Sequence, residues 1–122
     1  MKPLFYSAAA FNMVMSFLFA FFHVETFAFF SIVPVPAHPM MTQLFAVLVL
    51  AFGIGYFWIA RDPVKNRQII LLGALAKIML VLFAGFQVIT GIASWQLLIP
   101  VSADLIYAVL FVLAYRTLPA SV

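Results

Sequence analysis

The chain has 122 residues, of which 68% are hydrophobic and only 7% charged, against roughly 25% charged residues in a soluble domain. A water-soluble fold of this size would have too little polar surface to cover itself. The net charge of +3 is divided between the two ends and one short segment, which excludes the continuous basic face of a nucleic-acid binder. The lack of cysteine excludes a disulfide framework, a thiolate metal site and a redox thiol.

The first apolar run covers residues 4–22. It is longer than the ~7–15 residues of a signal-peptide core, and Phe21-Phe22-His23 stands where a peptidase needs small residues, so it is predicted to remain as a membrane span. Ala8, Asn12, Ser16 and Ala20 recur every four residues. In lipid, where apolar surface alone cannot drive association, such a small or polar stripe marks the face that touches other helices.

Residues 24–40 form an apolar connection interrupted by Pro34, Pro36 and Pro39, which forbid a regular helix at its end. Irregular backbone is not tolerated in contact with lipid. The segment must therefore extend the first helix, cover the bundle or lie at headgroup level. His23, Glu25 and His38 gather at this end, beside Met40 and Met41. Imidazole, carboxylate and thioether bind transition metals, so an outward metal site is one reading and interfacial polarity the other; haem ligation would need a second histidine at a different depth.

The second span is predicted over residues 41–60, with Ala46, Gly53 and Ala60 seven apart. Gly53-Ile54-Gly55 lacks the third glycine and the acidic residue of a dinucleotide fingerprint and is expected to serve close helix contact. Tyr56 and Trp58 are placed as inner interfacial aromatics, and Trp95 as an outer one. The polar stretch Arg61-Asp62-Pro63-Val64-Lys65-Asn66-Arg67 follows. Asp62 before Pro63 reads as an N-cap with proline at the first helical position, giving a tight helical hairpin.

The third span covers residues 69–92 and the fourth residues 98–115. Each contains one ionisable residue, Lys77 and Asp104. At ~1.5 Å per residue, Lys77 lies about 15 Å beyond Arg67 and Asp104 about 18 Å before Arg116, both near the middle of a hydrocarbon layer ~30 Å thick. Asn12 falls at the same depth, counted from Lys2. An unpaired Lys or Asp there costs roughly 2.5–3.5 kcal/mol on insertion scales. The two charges are therefore expected to pair, with Asn12 or Tyr107 completing their hydrogen bonds. Lys77, Ala84 and Gly91 share one stripe of their helix, and Asp104 and Ala108 share another. The pair is open to three readings: an internal bridge that docks helix four on helix three, a proton or ligand site in a hydrated cavity, or a contact with another subunit.

Lys2, Arg61, Lys65, Arg67 and Arg116 all obey one orientation under the positive-inside rule. The expected fold is therefore all-α: one domain over residues 1–122, an integral membrane antiparallel four-helix bundle with both termini cytoplasmic. No catalytic set is present, so an enzyme made of this chain alone is not expected, and no cofactor is predicted.

Gly53 to Pro63 (GIGYFWIARDP), Asn66 to Lys77 (NRQIILLGALAK), and Ser94 to Phe111 (SWQLLIPVSADLIYAVLF) with Arg116 beyond resemble the DoxX-like small four-helix proteins of bacterial inner membranes. The likeness covers about half the chain and rests on Arg61-Asp62-Pro63, Asn66-Arg67, Gly73, Lys77, Trp95 and Asp104-Leu105. It implies a four-helix membrane bundle that often works beside a larger partner, and it carries over no catalytic or quinone-binding residue. Small multidrug transporters share the length and topology but rely on a glutamate halfway along the first helix, where this chain has Asn12. The leading expectation is an accessory or assembly subunit of a larger, respiratory or redox, membrane complex in the bacterial inner (plasma) membrane. The alternative is a small proton-coupled transporter or a lipid- or quinone-binding protein using Asn12, Lys77, Asp104 and Tyr107. The partners expected are the bilayer, a larger membrane protein or a second copy, and a quinone or lipid, with no nucleic acid.

Overall fold

The computed structural model describes residues 1–119. Within them the secondary structure is entirely helical: α1 (Lys2–Phe21), α2 (His23–Phe30), α3 (Met40–Arg61), α4 (Arg67–Ile89) and α5 (Leu98–Thr117), the last entered through a 3-10 turn at Trp95–Leu97. Four of these helices are long and apolar enough to cross a membrane, each close to the ~20 residues a span needs. The expected spans agree with α1, α3, α4 and α5 to within three residues at either end. This is a four-helix arrangement of the kind that multi-pass membrane proteins use.

Two helix pairs carry most of the packing, α1 against α3 and α4 against α5. Along the first pair the partners run in opposite order. Tyr6 meets the ring of Phe57, Asn12 Nδ2 donates to the carbonyl of Val49 at 3.0 Å, Ser16 Oγ donates to Ala46 at 2.8 Å and Gln43 Nε2 donates to Ala20 at 3.2 Å. The small stripe expected on α1 makes these bonds possible, because it brings backbones close enough for side-chain amides and hydroxyls to reach carbonyls. A Cβ built on Gly53 would lie 3.1 Å from that of Asn12, so this glycine admits the close approach that its spacing foretold.

The pairs join near the polar loop. Phe5, Tyr56, Ile59, Ile70 and Phe111 are fully buried there, and Phe111 stacks on Phe5 (ring centroids 4.8 Å) and edge-on to Tyr56 (5.1 Å). Gly73 is the cradle for this cluster: a Cβ at that position would lie 2.7 Å from the Tyr56 ring. Tyr56 is thus a core residue, 1% exposed, and not an interfacial anchor. Its place in the sequence beside Trp58 misleads because the two rings point to opposite sides of α3. Trp58 and Trp95 are exposed.

Two further expectations change. Asp62 does not cap the helix after the loop. It ends α3, and its Oδ1 accepts from the backbone N–H of Lys65 at 3.1 Å, so Pro63 sits in a turn and α4 starts only at Arg67 with Asn66 before it. Asn66 ties the loop together by donating to the carbonyls of Trp58 and Asp62. Gly91 is exposed and takes no part in the α4 stripe. It adopts φ +79°, a left-handed turn that glycine enters at no steric cost, and α4 ends at Ile89 before it.

The proline-rich connection is a separate element and not an extension of α1. The helix breaks at Phe22, and α2 turns away from it until Ser31, in the left-handed region at φ 58°, closes it off with Ile32 N–H bonded to Phe27 at 2.8 Å. Ser94 then fastens the connection to the turn before α5. Its Oγ accepts from Val33 N–H at 3.0 Å, and its own N–H donates to Val33 at 2.8 Å.

Candidate functional site

Lys77 on α4 and Asp104 on α5 meet as the sequence requires. The ammonium Nζ lies 2.6 Å from Asp104 Oδ1, with the lysine side chain 5% and the carboxylate 15% exposed. This is the one side-chain ion pair among the described residues. Lys77 has three N–H donors; a second reaches Asn12 Oδ1 at 3.5 Å, the outer limit of a hydrogen bond. Asn12 is held for this task by its bond to Val49, which orients the amide with its oxygen toward α4.

Tyr107 contributes differently from expectation. Its hydroxyl bonds to Ser7 Oγ at 3.1 Å, and its ring, not its oxygen, faces the lysine. Lys77 Nζ is 5.3 Å from the ring centre of Tyr56, 5.5 Å from that of Tyr107 and 5.6 Å from that of Phe11. Each lies inside the ~6 Å range at which an aromatic face attracts a cation, worth about 0.5–2 kcal/mol depending on desolvation. The aromatic ring set therefore replaces part of the hydration that the ammonium loses.

The pair also lines a chamber of about 360 Å³, within the ~300–1,000 Å³ of small-molecule pockets. Asn12, Tyr56, Lys77 and Asp104 are part of its lining. Phe19 of α1, Phe45 and Phe52 of α3, Leu80 of α4 and Thr26, Phe27 and Phe30 of α2 belong to its walls. From Leu97 to Asp104, both lining residues, α5 rises about 10 Å. Phe45, Leu48 and Leu80 line the chamber and are exposed as well. No buried side-chain nitrogen or oxygen among the described residues lacks a hydrogen-bond partner. The chamber is thus mostly apolar, with a neutralised pair of charges in its lining.

His23, Glu25 and His38 are not brought together. His23 Nε2 bonds to the carbonyl of Pro36 at 2.9 Å, and His38 Nδ1 accepts from Met40 N–H at 3.2 Å. No group of three potential metal-ligating side chains occurs among the described residues. Both histidines are spent on shaping the connection that carries α2.

Sequence reasoning found the ion pair and Asn12 from depth alone, but it missed the chamber. The phenylalanines that build its walls sit in runs with no polar contrast. The one available signal was the surplus of Phe in the first third of the chain, beside prolines that prevent a straight helix. No family model matches the chain, and no curated protein or solved structure matches it either. The functional argument rests on geometry.

Proposed function

We propose that this chain is a small bacterial inner (plasma) membrane protein that binds one small apolar molecule, lipid-like or quinone-like, with its polar head on the Lys77–Asp104 pair. The orientation is the antiparallel four-helix bundle with both termini and the Arg61–Arg67 loop in the cytoplasm. The carrying observation is that Lys77 and Asp104 both line an otherwise apolar chamber. A bridge needed only to dock α5 on α4 is better placed where side chains close around it.

Its phenylalanine and leucine walls offer water few partners, whereas an apolar guest needs none. Leu48 of α3 and Leu80 of α4 line the chamber and are exposed, which fits uptake from the membrane. The expectation of an accessory subunit draws on short loops and a broad apolar exterior, features that serve any small multi-pass protein equally. The chamber supports the binding reading.

The test is Ala76→Phe, which fills the chamber from its α4 wall. Native mass spectrometry of the protein released from lipid nanodiscs should show a bound small molecule on the wild type that is lost from this variant at unchanged helicity. Identical adducts on both proteins would refute the reading.

A further inference from the structure

Lys77 and Asp104 cancel each other's charge at 2.6 Å, and no other ionisable side chain except the phenol of Tyr56 lines the chamber. A ligand with a charged head would therefore bring a net charge into an apolar space with nothing opposite in sign left to meet it. Neutral heads carry no such penalty. Two hydrogen-bonding positions at the pair have no hydrogen-bond partner among the described residues. The ammonium has three donors, of which one is held by Asp104 and one weakly by Asn12. The carboxylate bonds to Lys77 through Oδ1, which leaves Oδ2 able to accept. One side offers a proton and the other takes one.

From this donor and acceptor side by side we infer that the ligand is an uncharged amphiphile with a hydroxyl head, an acyl alcohol or a quinol, and neither a fatty acid nor an alkyl amine. A hydroxyl is the simplest group that uses both positions at once, its oxygen accepting from Lys77 Nζ and its O–H donating to Asp104 Oδ2. A bare carbonyl uses only the first. The lining residues on α3 run from Thr42 to Tyr56, a rise of about 21 Å, so the chamber has room for the head and a tail of several carbons.

This inference rests on the chamber reading above, and the experiment separates the two. The protein is labelled with 13C-methyl methionine in lipid nanodiscs. Met15 lines the chamber and reports binding, while Met1 serves as the internal control. Decanol, decanoate and decylammonium, three molecules with the same tail and a neutral, negative or positive head, are titrated as mole fractions of the lipid. Decanol should move the Met15 methyl at a mole fraction at least ten-fold lower than either ion. A short-tailed hydroquinone, run in the same way, tells a quinol from an acyl alcohol by which of the two saturates first.

If decanoate or decylammonium saturates Met15 first, the chamber stands and the neutral-head assignment falls. If none of the three shifts Met15 more than Met1, both fall. Asp104→Asn provides an independent check, because it leaves the lysine charge uncompensated and should shift the preference toward decanoate. An Asp104→Asn protein that folds and still prefers decanol by the wild-type margin contradicts the charge argument.

Discussion

The ammonium of Lys77 and the carboxylate of Asp104 meet 2.6 Å apart across the α4–α5 contact, and the same two residues line the chamber to which Thr26, Phe27 and Phe30 of α2 contribute. One contact thus serves two purposes: it removes the cost of two charges at the depth of the hydrocarbon, and it places polar atoms in the lining of an apolar chamber.

Removing one partner leaves a buried charge uncompensated, which costs about 3–5 kcal/mol, whereas replacing the whole pair with apolar residues is often neutral. Lys77→Met and Asp104→Leu are each expected to lower unfolding stability by that amount in a reversible detergent titration. The double variant should recover most of the loss. Equal and additive losses would mean that the two groups act independently.

Gly73 faces the Tyr56 ring at a distance that no Cβ tolerates. Gly73→Ala is expected to cost roughly 1–3 kcal/mol through overpacking, with partial rescue by Tyr56→Leu, which removes the ring. Gly85 has nothing within 4 Å of the corresponding position. Gly85→Ala should therefore be neutral or stabilise α4 by up to ~1 kcal/mol. Thermal unfolding of the two variants side by side checks both.

Asn12 donates to Val49 and lies at the edge of the Lys77 bond. Interhelical hydrogen bonds in membranes average about 0.6 kcal/mol and reach ~1.7, so Asn12→Ala should weaken the α1–α3 pair by an amount in that range. It should cost less than either single change at the ion pair. A loss above that of Asp104→Leu would make Asn12, and not Asp104, the principal partner of the lysine.

Ser94 holds the proline-rich connection to the turn before α5. Ser94→Ala keeps the backbone bond from its own N–H but removes the acceptor of Val33 N–H. Hydrogen exchange should speed up at Val33 and along α2, while α3 and α4 keep their protection. Unchanged exchange at Val33 would show that the connection is held by packing of Phe27 and Phe30 alone.

The membrane spans and the charge pair were legible because each rests on a strong local penalty. A run of some 20 apolar residues has few alternatives to a span, and an ammonium at that depth needs a counter-charge. The burial of Asn12, Ser16, Ala46 and Gly53 was legible for a related reason, since small residues at fixed spacing have little use on a lipid-facing surface. Tyr56 and Gly73 were not, because a ring filling the notch above a glycine on another helix leaves no trace in either segment. The start of α4 was misplaced by a local rule: Asp62-Pro63 suits a helix start and a turn equally, and the bonds from Lys65 and Asn66 decide for the turn. The chamber depends on how two helix pairs diverge, and that is set by the sum of many apolar contacts.

The most direct measurement is magic-angle-spinning NMR of the protein in lipid bilayers, labelled at lysine 15Nζ and aspartate 13Cγ. There are three lysines, Lys2, Lys65 and Lys77, and Lys77→Met assigns the buried signal. The account requires strong dephasing of Lys77 Nζ by the Asp104 carboxyl carbon, and a shift of that same nitrogen when decanol is added. A Lys77 nitrogen that is not close to Asp104, or one that is close but unmoved by any apolar ligand, would contradict it.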